Sequence, residues 1–125
     1  MPRILVLEDD FRMSLELLKT LVLAGYDAVG AVSGRQAEKM MDERAADLVI
    51  CDIDMPGGDG LESISRLRRS HEHPTIIAVS RRNEPALLES ARVCGADHIL
   101  IDPIDPEVLL QTVEGLLDAR APSNV

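Results

Sequence analysis

Repeatedly along this 125-residue chain, a short aliphatic run gives way to a segment whose apolar residues recur at helical spacing. Strand-length runs with little polar alternation are what a sheet covered on both faces requires. The pattern predicts strands over 3–7, 27–32, 47–51, 75–79 and 97–101. It predicts helices over 11–24, 34–45, 61–70, from Glu84-Pro85 to Cys94-Gly95, and from Pro106 to about 119. Leu17, Leu18 and Leu21 share one face of the first helix; Ala37, Met40 and Met41 share one face of the second. Gly25 and Gly95 stand where helices end, and Pro85 and Pro106 suit first-turn positions. Gly57-Gly58-Asp59-Gly60 is expected to be a turn. Five βα units in series predict an α/β, doubly wound parallel sheet with helices on both faces.

The length suits one domain with a real core, expected over residues 1–120 with a disordered tail at 121–125. The apolar fraction is 46%, yet only Phe11 and Tyr26 are aromatic. A formal charge of −9 and the lack of base-stacking platforms argue against a nucleic-acid surface. No apolar stretch is long enough to span a bilayer, and no leader pattern is present, so a soluble, cytoplasmic protein with no membrane partner is expected. Cys51 and Cys94, isolated in apolar contexts, are expected to be buried, reduced thiols.

Chemistry is concentrated where the strands stop. Ile4-Leu5-Val6-Leu7 breaks into Glu8-Asp9-Asp10, and Leu48-Val49-Ile50-Cys51 into Asp52-Ile53-Asp54-Met55-Pro56-Gly57. Ser80 and Asp102 end two later strands. In open parallel sheets, ligands bind beyond the carboxyl ends of the strands. Several carboxylates converging there require a divalent cation or another positive group. Asp10 reads as a helix cap, which needs one oxygen; Glu8 and Asp9 together read as metal ligands. His71, His73 and His98 carry no ligand pattern and are expected to face solvent. Met40 and Met41 are expected in the core, and Arg66, Arg68 and Arg69 suit the negative end of the third helix.

Taken in order, these residues resemble the receiver domain of two-component response regulators, over nearly the whole chain. The resemblance is carried by Ile4 to Asp10, by Asp52-Ile53-Asp54-Met55-Pro56-Gly57 with Asp59-Gly60-Leu61-Glu62, by Ile76 to Ser80, by Gly95-Ala96-Asp97, and by Asp102-Pro103. It implies a CheY-like (flavodoxin-like) sheet in strand order 2-1-3-4-5. It implies a phosphoacceptor, Asp52, taking a phosphoryl group from a sensor histidine kinase or a histidine phosphotransfer protein. Mg2+ would be held by Asp9 and Asp52, by Glu8 through water, and by the backbone carbonyl of Asp54. Ser80 would hydrogen-bond the phosphoryl group. Such a protein is a switch for an unknown downstream protein rather than an enzyme, beyond catalysing its own phosphorylation and dephosphorylation. A homodimer is left open, as is whether the chain is a single-domain regulator or an excised receiver.

Three positions depart from the family pattern. Asp102 stands where a lysine normally meets the phosphoryl group, and the only lysines are Lys19 and Lys39. Ile99 replaces the switch aromatic, and Arg81 a small residue. A like-charge pair at about 4 Å costs on the order of 4 kcal/mol at an effective dielectric of about 20. Arg81, expected to face Asp102 across the last two strands, is the candidate to carry the displaced charge. Two alternatives stay open: a degenerate pseudo-receiver working as a phosphorylation-independent interaction module, and a Mg2+-dependent phosphohydrolase with Asp52 as nucleophile and Asp54 as general acid. The second has its Asp-x-Asp pair after the third strand, outside that motif's usual context.

Overall fold

The computed structural model describes residues 1–56, 59–70 and 73–120. It contains β1 (Arg3–Leu7), α1 (Phe11–Leu23), β2 (Asp27–Ala31), α2 (Gly34–Glu43), β3 (Leu48–Asp52), α3 (Asp59–Ser70), β4 (Thr75–Ser80), α4 (Pro85–Cys94), β5 (His98–Ile101) and α5 (Pro106–Arg120). The strands form one parallel sheet in the order β2-β1-β3-β4-β5.

Alternation along the central strands sends side chains to two separate cores. Ile4, Val6, Leu48, Ile50, Ile77 and Val79 pack with Leu17 and Leu21 of α1 and Leu109 and Val113 of α5. Leu5, Leu7, Val49, Cys51, Ile76 and Ala78 pack with Ala37 and Met41 of α2, Ile64 and Leu67 of α3 and Ala91 of α4. The helices therefore divide between the faces, α1 and α5 on one and α2, α3 and α4 on the other. Each fully buried Ile or Leu contributes about 1.5–3 kcal/mol, and this is why β1, β3 and β4 contain almost no polar residues before their carboxyl ends.

Local chemistry starts and stops the helices. Asp10 accepts a hydrogen bond from the Met13 amide at 3.1 Å, capping α1 as expected. Ser33 caps α2 through the Gln36 amide, while Gln36 reaches back to the Val32 amide, a variant of the reciprocal capping box. Gly25 and Gly95 take φ of 97° and 125° at the ends of α1 and α4, a region closed to most side chains.

Most elements differ from the sequence expectation by a residue or two, and α3 differs in kind. Asp59 and Gly60, expected in a turn, form its first residues. The Asp59 carboxylate accepts the Gly34 amide at 2.9 Å, joining the starts of α2 and α3. A Cβ on Gly60 would collide with the backbone of Asp52 and Ile53. The glycine thus permits close approach of α3 to the tip of β3. Gly57, Gly58, His71 and the tail at 121–125 lie outside the described residues. β3 extends through Asp52, paired with Val79, and β4 through Ser80, paired with Ile101. Cys51 and Met41 are buried; Cys94 and Met40, expected inside, are half-buried against the core. His73 and His98 are exposed.

Candidate functional site

Glu8 leaves β1 with its amide bonded to the Ala31 carbonyl of β2, and Asp52 is the last paired residue of β3. Parallel neighbours in this register bring both acids to one edge of the sheet. Glu8, Asp9 and Asp52 each offer a carboxylate oxygen, and these oxygens lie within 4.8 Å of one another. Glu8 is 1% and Asp52 3% exposed, whereas Asp9 is open to solvent. The site is a buried acidic floor with a mouth at Asp9.

The floor is electrostatically strained. Glu8 accepts the Asp10 amide at 3.2 Å through Oε2, but its Oε1 is buried without a hydrogen-bond partner. Burial first, then the neighbouring Asp52 carboxyl, pushes the Glu8 pKa from 4.5 up to about 8. The buried Cys51 thiol, donating to the Gly60 carbonyl at 3.5 Å, is held protonated by desolvation and by Asp52, Asp59 and Glu8. A hard cation with oxygen ligands is the species such a floor fits.

Asp54 ties the acids to β4. Its amide donates to Asp52 Oδ1 at 2.8 Å, and its side chain turns toward the end of β4. There it receives the Arg81 amide at 2.5 Å, the Arg82 Nε at 3.2 Å, and a contact of 3.3 Å from the Ser80 hydroxyl to each oxygen. The Ser80 oxygen also lies 2.9 Å from the Arg82 carbonyl and accepts the Arg82 amide at 3.0 Å. Ser80 is thus at the site's edge and fully buried, with its hydroxyl engaged on the β4–α4 connection. A carboxylate serving as acceptor for these donors is poorly suited to be the general acid of a phosphohydrolase.

The Arg81 guanidinium, expected to face Asp102, instead lies 3.9 Å from Asp10 Oδ2. Because β1 and β4 flank β3, that contact reaches across the tip carrying Asp52. Asp102 donates its amide to the Ser80 carbonyl, and it lines a small cleft between α1 and the start of α5 with Met13, Glu16 and Ile104. It belongs to the other side of the sheet edge and is absent from the three-acid cluster. Ile99, half-buried, packs against the core covered by α2, α3 and α4.

Sequence reasoning missed Arg82 and the side-chain role of Asp54. The one available signal was the doublet Arg81-Arg82 directly after Ser80, two cations at a strand tip in an acidic chain.

Residues 4–114 match the family model described as response regulator receiver domain. The chain belongs to that family. Its receiver fold is similar over 117 residues, at 32% identity, to the transcriptional regulatory protein AfsQ1 of Streptomyces coelicolor, covering 94% of this chain and 52% of that protein. It is 34% identical over 114 residues to the CAI-1 autoinducer sensor kinase/phosphatase CqsS of Vibrio cholerae, covering 89% of this chain and 17% of that protein. The chain spans about half the length of the curated transcriptional regulators it matches. Among solved structures, the chemotaxis response regulator CheY4 of Vibrio cholerae superposes with a TM-score of 0.85 at 26% identity, covering 93% of this chain and 98% of that one. A two-component response regulator from Clostridium difficile reaches 0.91 at 23% identity, covering 98% and 100%, a likeness of fold alone. Among the described residues, no helix of this receiver is long and apolar enough to cross a membrane.

Proposed function

We propose that this receiver accepts a phosphoryl group on Asp52 from a phosphohistidine of a sensor histidine kinase or histidine phosphotransfer protein, and passes the change to a downstream protein in the cytoplasm. The observation carrying this reading is the floor of Glu8, Asp9 and Asp52, with one buried carboxylate oxygen left without a partner. Three acids this close fit a Mg2+ ion held by Asp9 and Asp52, by Glu8 through water, and by the Asp54 backbone carbonyl; when bound, the ion offsets charge on the transferring group.

The chain's own residues do the remainder. Asp52 presents one carboxylate oxygen as nucleophile, and the Asp54 amide on Oδ1 fixes its rotamer. The new P–O bond forms as the P–N bond of the phosphohistidine breaks, and the leaving imidazole nitrogen keeps the electron pair. Ser80 supplies a hydroxyl at the adjoining tip, and the Arg81 guanidinium a positive charge above it.

The test is incubation of the full chain with acetyl phosphate, with and without Mg2+, read by intact mass. Gain of one phosphoryl group only with Mg2+, and none in Asp52→Asn, is expected. An unmodified wild-type chain would favour the pseudo-receiver, a reading that draws on Asp102 in the lysine's place and on the engaged hydroxyl of Ser80.

A further inference from the structure

A phosphoaspartate at Asp52, the reading on which this inference rests, brings close to two negative charges to a tip that already holds three acids and has Asp102 where the family has a lysine. Neither of the two lysines is on a strand tip: Lys19 lies within α1 and Lys39 within α2. We propose that Arg82 is the substitute cation, and that the Asp54 carboxylate is a latch holding it in reserve until the phosphoryl group competes for it.

The geometry has three parts. First, Arg82 is two hydrogen bonds from the phosphoacceptor: its Nε reaches Asp54 Oδ1, and the Asp54 amide reaches Asp52 Oδ1. Second, Asp54 engages the groups that a phosphoryl group on Asp52 would need. The Arg81 amide and the Arg82 guanidinium both point at this one carboxylate, and the Ser80 hydroxyl lies 3.3 Å from each of its oxygens; the Asp54 side chain is 10% exposed. A dianion with three acceptor oxygens is a better partner for a guanidinium fork than a monoanionic carboxylate is. Third, the arginine can leave. Its side chain is 54% exposed and sits on the short connection between β4 and α4, with a second, looser contact to Glu84 at 3.4 Å. Swinging from Asp54 to the phosphoryl group breaks no core packing.

Asp54 therefore does two opposed things. Through its amide it orients Asp52 for attack; through its side chain it withholds the donors that would stabilise the product. The latch sets how far phosphorylation is favoured, and its release is a movement of residues 81–84.

The experiment titrates the full chain with beryllofluoride in the presence of Mg2+, following backbone amides and arginine Nε–H resonances. In the wild type, the Arg82 Nε–H resonance is expected to shift as the site fills. Arg82→Ala should weaken beryllofluoride binding about tenfold, Arg82→Lys should recover part of the loss, and neither should weaken Mg2+ binding alone. Asp54→Asn, which removes the charge that holds the Arg82 guanidinium while keeping the shape, should tighten binding several-fold. Wild-type binding with an unmoved Arg82 resonance, unchanged affinity in Arg82→Ala, or weaker binding in Asp54→Asn would overturn the latch alone. A wild-type chain that takes no beryllofluoride overturns the phosphoacceptor reading as well.

Discussion

Glu8 sits 1% exposed with an unpartnered oxygen, so its ionisation works against the metal-free fold. Its pKa is raised from 4.5 to about 8 by burial and by Asp52, and the folded state therefore binds the proton more tightly than the unfolded chain. That contribution is fully present below about pH 4.5 and is lost as pH rises through about 8. Thermal unfolding in chelator should show the wild type losing stability over this window relative to Glu8→Gln, and Mg2+ should restore it at pH 8. A parallel pH dependence in both proteins would show that Glu8 ionises without cost. Asp9 and Asp102 make a second contrast at this scale. Asp9 belongs to the cluster, whereas Asp102 lines the cleft beside α1. One unit charge at about 4 Å is worth on the order of 1–4 kcal/mol, so Asp9→Asn should weaken Mg2+ binding roughly tenfold or more. Asp102→Asn should leave it nearly unchanged in the same titration.

At the level of elements, Gly60 and Gly115 are both helical glycines with opposite expectations. A Cβ at Gly60 would come within 2.8 Å of the Ile53 Cα and still closer to the Asp52 carbonyl, whereas one at Gly115 meets nothing within 4 Å. Gly60→Ala should cost about 1–3 kcal/mol by overpacking. Gly115→Ala should stabilise α5 by about 0.5–1 kcal/mol. Urea unfolding of both variants measures the contrast, and similar midpoints would mean that α3 can draw back from β3. Gly60 also marks where the sequence stopped being legible. The aliphatic runs and helical spacings revealed all ten elements, because burial on two faces imposes both patterns locally. Gly57, Gly58 and Gly60 spoke for a turn, and the close approach of Gly60 to Asp52 and Ile53, with α3 beginning at Asp59, is a tertiary fact that no local pattern records. The candidate site divides in the same way. Glu8, Asp9 and Asp52 were readable because strand ends in parallel register must meet. Arg82 was not, because its partner Asp54 is 28 residues away and no periodicity records which way a loop arginine turns.

For the whole molecule, the question is how an event at Asp52 reaches a surface that a partner can read. Ile99 offers no ring to swing inward; it is half-buried and packed on the α2–α4 core, so the route through β5 has little to move. The β4–α4 connection is better placed. Arg82 joins Asp54 to Glu84, and Glu84 precedes α4, where its side chain makes no capping bond. Releasing Arg82 therefore changes the charge around the first turn of α4 without disturbing the helix's packing at Ala91. Beryllofluoride with Mg2+ should accordingly shift the amides from Arg81 to Leu88 most among residues outside the acidic floor, and those from His98 to Ile101 little. The Asp54→Asn variant should shift the first set part of the way with no beryllofluoride at all. Equal changes on β5 would mean that the signal crosses the sheet by packing, and that Ile99 performs the switch without an aromatic ring.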